Sequence, residues 1–380
     1  MIRAAVNPAI LTWARERAGL EPEDLTRRFA KLAAWEKGDA VPTLRQLEQF
    51  AKAVHVPIGY LFLREPLVET IPIPDFRLGR VDRGRPSPNL LDTIYMCQGR
   101  QEWYRDFARI AGETSKEFVG SLTVNKGITE AAEQIRHVLG FDVDARRDCP
   151  TWTDALRMFV AQAEAAGVLV MCSGVVYNNT HRSLDPNEFR GFAIADPLAP
   201  LIFVNAADTK SAQMFTLAHE LGHLWLGQSA LTDTAPSTAP TGDLEAWCNR
   251  VAAELLVPEA VLAREIRSGE VLDATIRRLA RRFKVSTLVV LRRLHDIGIL
   301  SSPGFHTAYE AELEHLLSID RGSGGDFHVT EGVRVSKRFA LALVESTLEG
   351  QTLYRDAMQM LGISKLETFA EFGRRLEFQI

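Results

Sequence analysis

The sequence predicts an α+β protein in which a small sheet and one buried helix are flanked at both ends by purely helical segments. Three observations carry this. Apolar, β-rich runs fall close together at 168–177, 189–196 and 200–206, separated by turn residues. Directly after them, 211–227 has the apolar spacing of a buried helix and holds the run His219-Glu220-Leu221-Gly222-His223. On both sides of this block the chain reads as helices. With 380 residues, 46% hydrophobic and 24% charged, core material for two or three domains is ample. No apolar run reaches the roughly 18 residues a membrane span needs, so no membrane association is expected.

Taken in order, residues 9–19 place apolar side chains at helical spacing and stop at Gly19, a suitable C-terminal cap. A second helix is expected from Pro22 to about Trp35, and a third after Thr43, a ready N-cap. Residues 1–65 thus form a small helical domain. The Pro-rich stretch that follows has no helical period and reads as an extended connector. With the helix at 90–111 it makes up 66–118. The next block, 119–263, contains helices at 128–139 and 153–166, the three strand-like runs and the 211–227 helix. It also holds a small, polar loop at 229–243 and a helix at 244–256 that ends before Pro258. Residues 264–300 have helix-turn-helix spacing, with Lys284-Val285-Ser286 as the turn. Residues 301–380 read as helical, with a Gly/Ser break at 322–325.

Charge and cysteines narrow the function. A net charge of −5 excludes a protein coated in positive charge. Basic residues concentrate at two places: 1–64 carries ten Lys/Arg against seven Asp/Glu, and 264–293 carries nine against three. Any DNA contact is therefore expected to be weak and to run through 1–65 and 276–293. In the second of these, Leu279, Phe283, Val285, Leu288, Leu291 and Leu294 would pack inward. The four cysteines lack a disulfide or zinc-ribbon spacing and read as reduced thiols. The N-terminal stretch is interrupted by charges and lacks a secretory pattern. A cytoplasmic location is the expectation.

The chemistry lies in the H-E-x-x-H run. On a helix, positions i and i+4 face the same way, so His219 and His223 can hold one Zn2+ ion. Glu220, one step round, is placed to act as a base on water. Two histidines and a glutamate buried together without partners would be costly, and a metal removes that objection. Catalytic zinc takes three protein ligands and keeps one position open. Glu245, 22 residues past His223, is the favoured third ligand, with Glu254 and Asp243 as alternatives. A tetrahedral oxyanion also needs a donor. Tyr177, His181 and Arg182, in the stretch past the first strand, are candidates.

The run FTLAHELGHLWLG, followed by Glu245, Asn249, Ala252, Ala253, Leu255, Leu256 and Pro258 in an E-x-x-x-N-x-x-A-A-E-L-L-V-P pattern, resembles the ImmA/IrrE family of zinc metallo-endopeptidases. Cys248, Val251 and Val257 replace residues more usual in that family and keep their small or apolar character. The resemblance implies a zincin-like domain, His219, His223 and Glu245 as zinc ligands, and Glu220 as catalytic base. It further implies an endopeptidase whose protein substrate is a helix-turn-helix repressor, cleaved to induce stress-response or mobile-element genes. Residues 9–63, with Trp35-Glu36-Lys37-Gly38, Pro42-Thr43-Leu44, Leu47, Ala51 and the closing YLFL, resemble an Xre/Cro-type helix-turn-helix domain. The stretch from Leu25 to Trp35 is shorter than in that module, which favours a docking or dimerisation module over specific DNA binding. The alternative for the whole chain is a DNA-binding transcriptional regulator, or a toxin–antitoxin component, whose zinc is sensory or structural.

Overall fold

The computed structural model describes residues 3–76, 86–232, 242–318 and 334–378. They fall into two compact units, Met1–Pro72 with Asp82–Asp92, and Ile73–Val81 with Thr93–Ile380.

The first unit is helical. Asn7 caps α1 (Pro8–Arg17) by accepting from the amide of Ala9, and Thr43 and Gln46 form a capping box on α4 (Leu44–Ala53). The single helix expected over 22–35 is instead two five-residue helices, α2 (Pro22–Thr26) and α3 (Leu32–Glu36). The reason is packing. Breaking the helix lets Phe29 meet Trp35 at 6.1 Å and the edge of Phe50 at 5.7 Å, in a core with Trp13, Leu25, Leu32 and Leu47.

The second unit is built on helices and one four-stranded sheet. Helices α5 (Pro88–Ile110), α6 (Ile128–Leu139), α7 (Val143–Arg147) and α8 (Trp152–Ala165) precede the strands β1 (Leu169–Ser173), β2 (Gly191–Ile194) and β3 (Leu201–Asn205). A fourth strand, β4 (Ala230–Thr232), lies where the sequence suggested the start of a polar loop. Leu231 and Thr232 are buried there, and cross-strand pairing overrides the weak local signal. The rest of that expected loop, 233–241, and the Gly/Ser break at 322–325 lie outside the described residues.

The strand order is β1-β3-β2-β4, with β1 parallel to β3 and the other pairs antiparallel. Phe192 and Phe203 pair across strands with rings stacked at 5.0 Å. Helix α9 (Lys210–Trp225) packs on β2 and β3 and is buried from Gln213 to Trp225, so its polar groups sit inside the protein. Helix α10 (Asp243–Leu256) crosses close against it at Gly222, where a Cβ would lie 3.3 Å from Cys248 Sγ.

Beyond α11 (Glu259–Glu265), helices α12 (Leu272–Phe283) and α13 (Thr287–Asp296) join with the expected turn. Lys284 is left-handed (φ 51°), and Ser286 caps α13 by accepting from Val289. Leu279, Phe283, Val285, Leu288, Leu291 and Leu294 enter the same hydrophobic core as α9 and α10. Helices α14 (Ser302–Ser318), α15 (Lys337–Leu348), α16 (Tyr354–Leu361) and α17 (Leu366–Arg375) complete the described chain. No helix among the described residues is long and apolar enough to cross a membrane.

Candidate metal centre

His219 and His223 project from one face of α9, one turn apart, and neither is exposed. Glu245 reaches them from the first turn of α10. The His219 Nε2–Glu245 Oε2 and His223 Nε2–Glu245 Oε1 distances are both 3.2 Å, and the two Nε2 atoms lie 2.9 Å apart. Among the described residues, this trio is the group of His, Cys, Asp and Glu side chains whose ligand atoms converge.

The donor set fits a zinc ion. Two ligand atoms each about 2.05 Å from one tetrahedral ion stand about 3.3 Å apart, and the three separations observed are close to that. His219 Nδ1 lies 3.0 Å from Asn249 Oδ1, which can only accept. Nδ1 therefore carries the proton, and Nε2 turns a lone pair to the centre. The Phe76 ring stacks on His223 at 6.3 Å between centroids. His223 Nδ1, Glu220 Oε2 and Glu245 Oε1 are buried and make no hydrogen bond. Buried carboxylate oxygens of Glu220 and Glu245 without a donor suit a site built to face a cation.

Protonation follows the same geometry. Burial alone would raise Glu245, but the two imidazoles at 3.2 Å outweigh it and hold the carboxylate down at about 2. Burial depresses both imidazoles. At His219 the hydrogen bond and charge of Glu245 overcome this and raise its pKa, whereas His223 stays lowered by burial and by the neighbouring His219.

Glu220 is fully buried on α9, and burial pushes it up to about 8 against the pull of His219 and Thr232. Thr232, on β4, donates a short hydrogen bond to Glu220 Oε1, leaving Oε2 as the unengaged oxygen. Gly191 makes room for this carboxylate. A Cβ there would lie 2.5 Å from Thr216 Cγ2, 2.8 Å from the Phe203 carbonyl oxygen and 3.2 Å from Glu220 Oε1.

Asp243 and Glu254 stand outside this trio. Asp243 is exposed at the first residue of α10. Glu254 is buried and salt-bridged: it pairs with Arg293 and accepts from the amide of Glu259. Tyr177, His181 and Arg182 belong to a tight loop closed by the Val176 and Arg182 backbones at 3.0 Å. Asn178 anchors that loop by donating to the Gly362 carbonyl beyond α16, at 2.9 Å. The sequence reading missed Thr232, whose polar surroundings disguise a strand. It also missed the role of Asn249, although that residue stands one turn from Glu245 in the E-x-x-x-N pattern.

Two buried histidines and a carboxylate thus converge next to a second buried carboxylate, an arrangement similar to that of H-E-x-x-H metallopeptidase sites. Residues 163–295 match the family model described as the IrrE N-terminal-like domain of the M78 peptidases. The radiation response metalloprotease IrrE of Deinococcus radiodurans is 34% identical over 106 residues, 27% of this chain and 32% of that protein. The match therefore spans about a third of the relative's length. Residues 335–375, covering α15 to α17, match a family model for a domain of unknown function.

Proposed function

We propose that this protein is a zinc-dependent endopeptidase acting in the cytoplasm on a protein substrate, a helix-turn-helix repressor being the class implied by the family resemblance. The observation that carries the reading is the convergence of His219, His223 and Glu245 beside Glu220. His219, His223 and Glu245 would hold the metal, with Asn249 fixing the tautomer of His219. Zinc, when bound, supplies Lewis acidity toward water and the scissile carbonyl.

Glu220 takes the proton of the attacking water and delivers it to the leaving amine. Thr232 pins Oε1, so the proton traffic falls to Oε2. Among the described residues no fourth ligand joins the trio, which favours the open position of a catalytic site over a closed structural or sensory one.

The test is co-expression with helix-turn-helix repressors encoded nearby, followed by a search for fragments. Cleavage by the wild type that is lost in Glu220→Gln supports the reading. Intact repressors and intact unfolded proteins under zinc-loaded wild type would contradict it.

A further inference from the structure

The outer edge of β4 is taken by the chain itself. Phe76 donates its amide to the Leu231 carbonyl at 3.0 Å, and Leu231 donates to the Pro74 carbonyl at 2.9 Å. Asp75 and Leu231 thus form a parallel bridge that adds one more strand-like segment to the sheet. Pro72 and Pro74 confine their own φ and bias the residues before them toward extended backbone. Ile73 is buried at one end of the segment. At the other end the Phe76 ring lies on His223, and the residue after Leu231 is Thr232, the partner of Glu220. One short segment therefore binds both the strand that positions the base and the imidazole of a proposed metal ligand.

An open sheet edge beside a peptidase centre offers unpaired backbone groups, which an extended peptide recognises by strand addition. Here those groups on Leu231 are already satisfied. We infer that residues 73–76 are a built-in strap that occupies the peptide-binding edge of the centre, and that an extended substrate must displace it. This rests on the peptidase reading and adds its regulation. The competing structural role is simple edge cover, in which the strap protects β4 and has no bearing on peptide access. The first run of the N-terminal unit ends at Pro72, immediately before the strap. A partner bound to that unit therefore has a covalent route to the strap.

The experiment uses full-length, zinc-loaded protein carrying Glu220→Gln, which prevents turnover, and fluorescein-labelled carboxymethylated casein as an unfolded probe. Phe76→Ala removes the ring stack and should tighten casein binding about threefold to tenfold, the weight of one aromatic pair. Phe76→Tyr retains the ring and should bind as the parent does. A synthetic peptide of residues 70–76 should compete with casein on the Phe76→Ala form, and a scrambled peptide should not. Hydrogen exchange at the Leu231 amide should speed up in Phe76→Ala alone. Equal casein affinity in all three forms would overturn the strap and leave the peptidase reading standing. Absence of casein binding in every form, with no cleavage by the zinc-loaded protein with Glu220 intact, would overturn both.

Discussion

Single side chains carry most of the site, and they differ in how visible they are from sequence. His219, Glu220 and His223 were legible because helical geometry fixes what lies beside what. Thr232 was not, because it stands twelve residues beyond Glu220 in a polar stretch, and only strand pairing brings its hydroxyl to the carboxylate. Its contribution can be measured. Thr232→Val keeps shape and removes the donor to Glu220. The expected result is roughly a tenfold to hundredfold drop in kcat, the equivalent of a lost hydrogen bond to a charged group, with zinc content unchanged. An unchanged kcat would mean that the carboxylate needs no anchor. The cysteines give a second residue-scale test. Burial pushes Cys97 and Cys172 up to about 12, and raises Cys248 well above its ordinary value. Since the thiolate is the reactive form, these three should resist iodoacetamide at pH 8 in the folded protein. Cys149, which is partly exposed, should react first. Mass spectrometry reads the order directly, and early labelling of Cys248 would contradict the close α9–α10 packing.

At the scale of elements, the sequence was reliable where periodicity and caps agreed. Thr43 before α4 and the turn from Lys284 to Ser286 fall where expected. It was unreliable where tertiary packing decided, as at Phe29, which splits one expected helix into α2 and α3. The basic pair α12 and α13 shows why composition alone misleads. Its arginines face acids of this same chain: Arg277 with Asp273, Arg278 with Glu270, Arg282 with Asp144 and Glu265, Arg292 with Asp296. Arg293 is buried against Glu254 and also donates to the Val257 carbonyl at 3.1 Å, tying α13 to the end of α10. Removing one partner of a buried pair strands the other. Arg293→Ala is therefore expected to destabilise the fold by roughly 3–5 kcal/mol, whereas Arg277→Ala, at an exposed ion pair, should leave the midpoint almost unchanged. Urea unfolding of the two variants checks this, and equal midpoints would refute the structural reading of α13.

For the whole molecule, the chain divides into two compact units. The metal centre, its base and the α12–α13 pair belong to one of them. In the other, α3 has five residues, so it is about 7.5 Å long, too short to present a reading face along a major groove. Binding to duplex DNA is expected to be weak, steeply salt-dependent and indifferent to sequence. Titration against random fragments and the upstream region of its own gene tests this. A site held about a thousandfold more tightly than bulk DNA would restore the regulator reading. The central claim concerns the metal, and elemental analysis of the purified full-length protein tests it most directly. The account predicts about one zinc per chain in the wild type and in Glu220→Gln, and loss of zinc in His219→Ala, His223→Ala and Glu245→Ala. Equal zinc in all five proteins, or zinc in none, would contradict it.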